Sequence, residues 1–269
     1  MHGPRRALAA LALCCLTSVA WAHDTWLQVA AQQPGSGLLG LEMGSGARYP
    51  ASEAAVAGWR LVRAGCADEA GTGHALAPRQ ERDLVLVLRA RTGSAHALGC
   101  WTELRPVDVV LAPGLVEAYL REIRAPQAVK DAWAARQKAG VGWKEIEHRS
   151  LRIETAVPGA SPAASWAALR QPRGAPLELV PVGDVRLRAG VAAEFQALAN
   201  GRPVAGLAVE AVSRRHPIGV WKETDAHGRI QLALPESGEW LLRAAVLAIP
   251  PTPQDAWRSN FATLVVQVQ

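Results

Sequence analysis

Phenylalanine, tyrosine, methionine and cysteine are all scarce: the 269 residues hold two each of the first three and four cysteines. No apolar run beyond residue 22 approaches the roughly 20 residues that a membrane-spanning helix needs. No block of one charge sign exists, which argues against nucleic acid as a partner. A G-x-S-x-G elbow, an H-E-x-x-H helix, a phosphate-binding loop and a G-x-G-x-x-G turn are all missing, so the sequence gives no support to hydrolytic or nucleotide chemistry. The expectation is a protein that is not an enzyme. Internal repeats and low-complexity tracts are absent as well.

The first 22 residues read as a removable export leader. Arg5 and Arg6 precede an apolar run from Ala7 to Leu16, and Ala20 and Ala22 form a small-x-small cleavage site. A lipoprotein signal at Leu11-Ala12-Leu13-Cys14 fits less well, because Leu13 stands where a small residue belongs. Cleavage after Ala22 leaves a chain beginning His23-Asp24-Thr25-Trp26-Leu27, with 27 basic residues against 24 acidic ones, a net charge of +3. Cys14 and Cys15 leave with the leader. Cys66 and Cys100 remain, an even pair in an oxidising compartment, and a disulfide is the default. Closing that 34-residue separation contributes roughly 3–4 kcal/mol on the chain-entropy model. The rival, a pair of metal thiolates, lacks C-x-x-C spacing.

Residues 23–112 show short apolar runs between turn clusters such as Gly35-Ser36-Gly37 and Gly71-Thr72-Gly73, with strands expected at Gly58–Ala64 and Asp83–Arg89. From 113 to 155 the turn residues thin out. Val129, Ala132 and Trp133 fall at helical spacing, and Lys144–Ile153 reads as a continuation, so this stretch is expected to be a helical insertion. Residues 156–176, with four prolines, read as a connector. Residues 177–269 return to β signals, with expected strands at Leu177–Val180, Val191–Leu198, Leu207–Ser213, Val220–Glu223, Ile230–Leu234, Trp240–Val246 and Phe261–Val268. Asn200-Gly201 and Asp225-Ala226-His227-Gly228 punctuate them as turns. The predicted class is mainly β, two immunoglobulin- or prealbumin-like sandwich domains with a helical insertion.

His23 is the position richest in chemistry. An amino-terminal histidine offers its α-amine and its imidazole to one divalent transition metal, and nitrogen donors suit Ni(II) or Cu(II). His96, four residues before Cys100, and His74, inside the same disulfide loop, are the candidate third ligands. Asp24 is the candidate carboxylate behind the imidazole. The bland alternatives are a solvated His23 at a strand start, turn histidines at 74 and 96, and a strand-start Asp24. His148 reads as a surface helix residue, His216 as loop and His227 as part of a hairpin turn. The ten tryptophans read as core filling rather than as a carbohydrate-stacking platform.

The order of blocks Ala22-His23-Asp24-Thr25-Trp26-Leu27, Glu117-Ala118-Tyr119-Leu120-Arg121, Gly201-Arg202-Pro203-Val204-Ala205-Gly206, Thr224-Asp225-Ala226-His227-Gly228-Arg229, Gly238-Glu239-Trp240-Leu241-Leu242-Arg243 and Trp257-Arg258-Ser259-Asn260-Phe261-Ala262-Thr263 resembles a bacterial periplasmic family of unknown function. Its members are described as the substrate-specific component of nickel uptake. Glu147-His148-Arg149-Ser150-Leu151-Arg152 departs from the family's pattern, where an arginine and lysine follow a Tyr-Ser pair. The resemblance implies a periplasmic metal-binding protein that takes up or delivers nickel, cobalt or copper beside a membrane metal transporter or envelope protein. Two alternatives stand beside it: a structural or interaction sandwich module of the cell envelope without metal chemistry, and a copper oxygenase needing an open coordination position.

Overall fold

The computed structural model describes residues 23–30, 36–216 and 218–269; the leader read over residues 1–22 lies outside them. In chain order come β1 (Asp24–Val29), β2 (Leu38–Gly46), β3 (Ala54–Ala55), β4 (Leu61–Asp68), β5 (Gly73–His74), β6 (Leu76–Glu81), β7 (Val85–Arg91) and the long β8 (Ala97–Leu111). Helices α1 (Pro113–Glu122) and α2 (Gln127–Lys138) follow, then β9 (Trp143–Ala156). The remainder is β10 (Glu178–Pro181), β11 (Ala192–Ala199), β12 (Arg202–Pro203), β13 (Ala208–Ser213), β14 (Val220–Glu223), β15 (Arg229–Ala233), β16 (Gly238–Ala248) and β17 (Trp257–Val268). The chain is mainly β, as its turn punctuation predicts. Asn200 and Gly201 both take positive φ, 50° and 76°, the pair that a two-residue hairpin between β11 and β12 demands.

The sandwich packing has one feature the sequence did not announce: both halves share a sheet. Eight strands run in the order β14-β13-β16-β17-β9-β8-β4-β5, and β9 and β17 pair in parallel. Alternate residues of these strands point to opposite faces. Leu151, Ile153, Leu241 and Val265 enter a core with Trp26, Leu27, Leu41 and Leu88 of the five-stranded sheet β1-β2-β7-β6, which carries β3 on β2. Leu242, Leu264 and Val266 enter a second core with Leu177, Phe195 and Ile230 at the four-stranded sheet of β10, β11, β12 and β15. A sheet covered on both faces needs strands apolar on both sides, and Phe261 to Val266 of β17 are all buried.

The helical insertion is shorter than expected. It ends at Lys138, and residues 144–153 belong to β9, a strand at the centre of the large sheet. The sequence hid this because the strand buries ions: Arg149 pairs with Glu147, Arg152 with Glu178 and Glu154 with Arg170. Charges at inward positions erase the apolar alternation by which a strand is recognised. Both true helices follow the ordinary pattern. Proline opens α1, where its missing N–H costs nothing, and Val116, Tyr119 and Leu120, then Val129 and Trp133, lie on the buried stripes. They cover an aromatic cluster in which Trp143 stacks on Trp257 at 4.6 Å and meets Trp133 edge-on at 5.4 Å. Glu145, buried beneath, accepts hydrogen bonds from Tyr119 Oη at 2.9 Å, Trp143 Nε1 at 2.8 Å and Ser259 Oγ. Burial pushes its carboxyl up while these donors pull it back.

The expected disulfide joins Cys66 on β4 to Cys100, its register partner on β8. Six of the tryptophans, at 26, 133, 143, 166, 240 and 257, are buried, which is core filling; Trp59 is 66% exposed. Among the described residues no helix is long and apolar enough to cross a membrane.

Candidate functional site

His23 immediately precedes β1, the edge strand of the five-stranded sheet, where that sheet lies against the central one. Three contacts fix it. Arg149 on β9 donates from Nη1 to the His23 carbonyl and to Thr25 Oγ1 at 3.3 Å, and Glu147 holds the same guanidinium at 2.6 and 2.9 Å. Thr263 Oγ1 donates to the Thr25 carbonyl at 2.7 Å, so carbonyls on the open edge of β1 are met by side chains rather than by another strand. The imidazole Nε2 stands 3.2 Å from Glu53 Oε2, with the histidine side chain 31% exposed.

Glu53 reaches that place because the 47–53 segment folds back over β2. Its N–H donates to the Ser45 carbonyl at 2.8 Å, and Ser52 packs where Gly44 has no side chain. A Cβ added at Gly44 would lie 1.8 Å from Ser52 Oγ.

Asp24 does not serve the imidazole. Neighbouring residues of a strand face opposite ways, and Asp24 turns to Arg243 on β16, to which it is directly bonded. Arg243 also holds Glu210 of β13 at 2.6 Å and faces Glu122 at the end of α1 at 3.7 Å. One guanidinium thus meets three carboxylates from three separate parts of the chain. Burial alone would lower the Arg243 pKa, but Asp24 and Glu210 more than offset it and hold the group fully protonated. Burial pushes Glu122 up, Arg243 opposes this, and Asp24 and Glu210 add to it. Beside the cluster, Asp24, Arg243 and Glu210 share a cleft of about 220 Å³ with Arg48 and Tyr49.

The histidines expected as third ligands are not brought to this end. His74 Nε2 pairs with Asp68 at 2.9 Å. Burial raises the Asp68 carboxyl, and the bonds from His74, Thr72 and Ala70 outweigh it and hold it low. His96 donates its N–H to Glu69 and accepts at its carbonyl from Val157. Arg149, which grips His23, lies eight residues from Val157, so at ~3.3 Å per residue His96 and His23 are about 26 Å apart along the sheet. His148 sits on β9 rather than on a surface helix; its Nδ1 is buried without a partner, and burial lowers its pKa. The exposed His216 pairs through Nε2 with Glu236 at 3.2 Å. His227 is a turn residue beside Gly228, whose φ is +69° and where a Cβ would strike the Ala197 carbonyl at 2.7 Å. Among the described residues no three His, Cys, Asp or Glu side chains converge to hold a metal. Glu53 carried no signal in the sequence, and Arg149 and Arg243 stood there only inside longer blocks that do not state a partner, since each meets the first strand only through the fold.

A family model described as a domain of unknown function (DUF4198) matches residues 20–248. No curated protein matches the chain. Among solved structures, native alpha-2-macroglobulin from Escherichia coli, spanning domains MG0-NIE-MG1, aligns over 91% of this chain and 97% of its own at 10% identity, with a TM-score of 0.22. A likeness that slight carries no argument about this chain.

Proposed function

The chain belongs to the family described as a domain of unknown function (DUF4198), and from that premise we propose that it is an exported protein that captures and hands on a divalent transition metal, Ni(II) or Cu(II), at His23. The observation that carries the reading is the contact of Glu53 with His23 Nε2. A carboxylate only accepts hydrogen bonds, so the nitrogen beside it carries the proton and Nδ1 of the neutral ring is left bare. Nδ1 is also the nitrogen that closes a six-membered chelate with the residue's own α-amine. The residues present therefore fit a nitrogen-bound metal, with Glu53 behind the ring as the orienting carboxylate.

The amine exists only if the leader is removed after Ala22. Arg149 then fixes the backbone from which the amine projects. With two donors from one residue, the remaining coordination positions stay open to solvent or to a partner, which suits transfer to a membrane transporter better than storage. When bound, the metal supplies Lewis acidity and a charge to be carried; the chain's residues hold and orient it.

Calorimetry of the protein beginning at His23 tests this. Cu(II) and Ni(II) bind, and acetylation of the His23 amine, which converts it to an amide, lowers affinity by about 10-fold or more. Equal affinity with and without the acetyl group would refute the chelate. No binding at all would leave the envelope interaction module as the better account.

A further inference from the structure

We infer that the cleft between β13, β16 and the 47–49 turn binds a small aliphatic amino acid as its zwitterion. The site does not rest on the metal reading, because Asp24 and His23 face opposite ways. Its floor is Glu210 and Val212 of β13 beside Leu241 and Arg243 of β16, and its wall is Asp24 with the 47–49 turn. Register pairs Glu210 with Arg243 and Val212 with Leu241, so one end of the floor is ionic and the other apolar. At about 220 Å³ the space far exceeds the ~10–15 Å³ that a single water needs.

The charges of the lining balance but stand apart. Arg243 binds Asp24 at Oδ2 and Glu210 at Oε2, and among the described residues no hydrogen bond reaches Asp24 Oδ1 or Glu210 Oε1. One guanidinium between two carboxylates leaves this end with a net negative charge and open lone pairs, which suit an ammonium. Arg48, exposed and in no ion pair among the described residues, supplies the positive end. Ala51 donates its N–H to the Arg48 carbonyl at 2.8 Å and fixes the backbone that carries it. Next to it the Tyr49 side chain lies edge-on against Trp26 at 5.5 Å, and the residue is 8% exposed. Its hydroxyl is buried and makes no hydrogen bond among the described residues. Burial and the charge of Glu239 push the phenol pKa up while Arg214 pulls it back, so the proton stays, and a guanidinium has no lone pair to receive it. A buried O–H without an acceptor is costly until a ligand supplies one. A carboxylate between Arg48 and Tyr49 does so, an ammonium at Asp24 and Glu210 offsets the other end, and a short aliphatic side chain covers Val212 and Leu241. An inorganic anion or a simple amine meets only one of these three needs.

Calorimetric titration of the full processed chain with L-valine in excess EDTA tests the site apart from any metal. L-Valine should bind at sub-millimolar concentration, and its two halves, isobutylamine and isovalerate, at least about 10-fold more weakly. Arg48→Met changes an exposed side chain that the fold tolerates; it should lower valine affinity by about 10-fold or more and leave isobutylamine unchanged. Tyr49→Phe keeps the ring against Trp26 and should weaken valine by about 3-fold or more. The absence of binding by both valine and alanine overturns the inference, as does a half-ligand that binds as tightly as valine, or an Arg48→Met variant that binds valine undiminished.

Discussion

Arg243→Met tests whether the guanidinium clamp is what secures the first strand. In the native protein the Arg243 side chain is 22% exposed and its partners Asp24 and Glu210 are 11% and 9% exposed. Methionine keeps much of the packing volume and removes the charge, leaving two buried carboxylates with no partner. Breaking a buried pair from one side costs about 3–5 kcal/mol. At 2–4 °C per kcal/mol for a chain of this size, the unfolding midpoint at pH 7 falls by roughly 6–20 °C. The loss depends on pH, and its sign follows from the carboxylates. Burial already pushes the Glu122 carboxyl of this cluster up while Arg243 opposes it; without the guanidinium it rises further, so the penalty is absent below the unfolded value and grows as pH climbs through the folded one. The variant should therefore lie close to the native protein near pH 4 and furthest from it at neutral pH. Calorimetric melts of both proteins from pH 4 to 7.5 read this directly. A drop under about 3 °C that stays constant across that range would refute the clamp.

Two further substitutions probe the neighbouring elements. Glu145→Ala strands the donors of Tyr119, Trp143 and Ser259 beneath the helices and should cost about 3–5 kcal/mol, whereas Glu145→Gln keeps an acceptor oxygen and should cost less; urea melts of the pair rank them. Gly44→Ala pushes Ser52, and with it the 47–53 segment, away from β2, so Glu53 leaves the imidazole; Cu(II) affinity measured by calorimetry should fall by about 10-fold or more while the circular dichroism spectrum stays native.

Much of the β framework was legible because its signals are local. The strand at 220–223 and the turns at Asn200-Gly201 and Asp225–Gly228 follow from residues within a few positions of one another. The second disulfide cysteine needed only a count. β9 was misread for the converse reason: its inward Arg149, Arg152 and Glu154 are tolerated only because Glu147, Glu178 and Arg170 neutralise them, and two of those three partners come from the connector side of the fold. His74 and His96 shared a domain with His23 in the sequence, yet the strands between them set their separation.

By itself the sequence determined the alternation of strands and turns, the cysteine pair and the place of His23 ahead of the first strand, since each depends on spacing along the chain. Only the tertiary structure decided which carboxylate stands at that histidine and what anchors its strand. Asp24 and Arg243 are 219 residues apart, and His23 and Arg149 are 126 apart. A period of two or of 3.6 states which face a residue takes, but it does not state what lies opposite that face. That depends on how the sheets stack, and here one sheet shared by both halves brings β1, β9 and β16 to the same place.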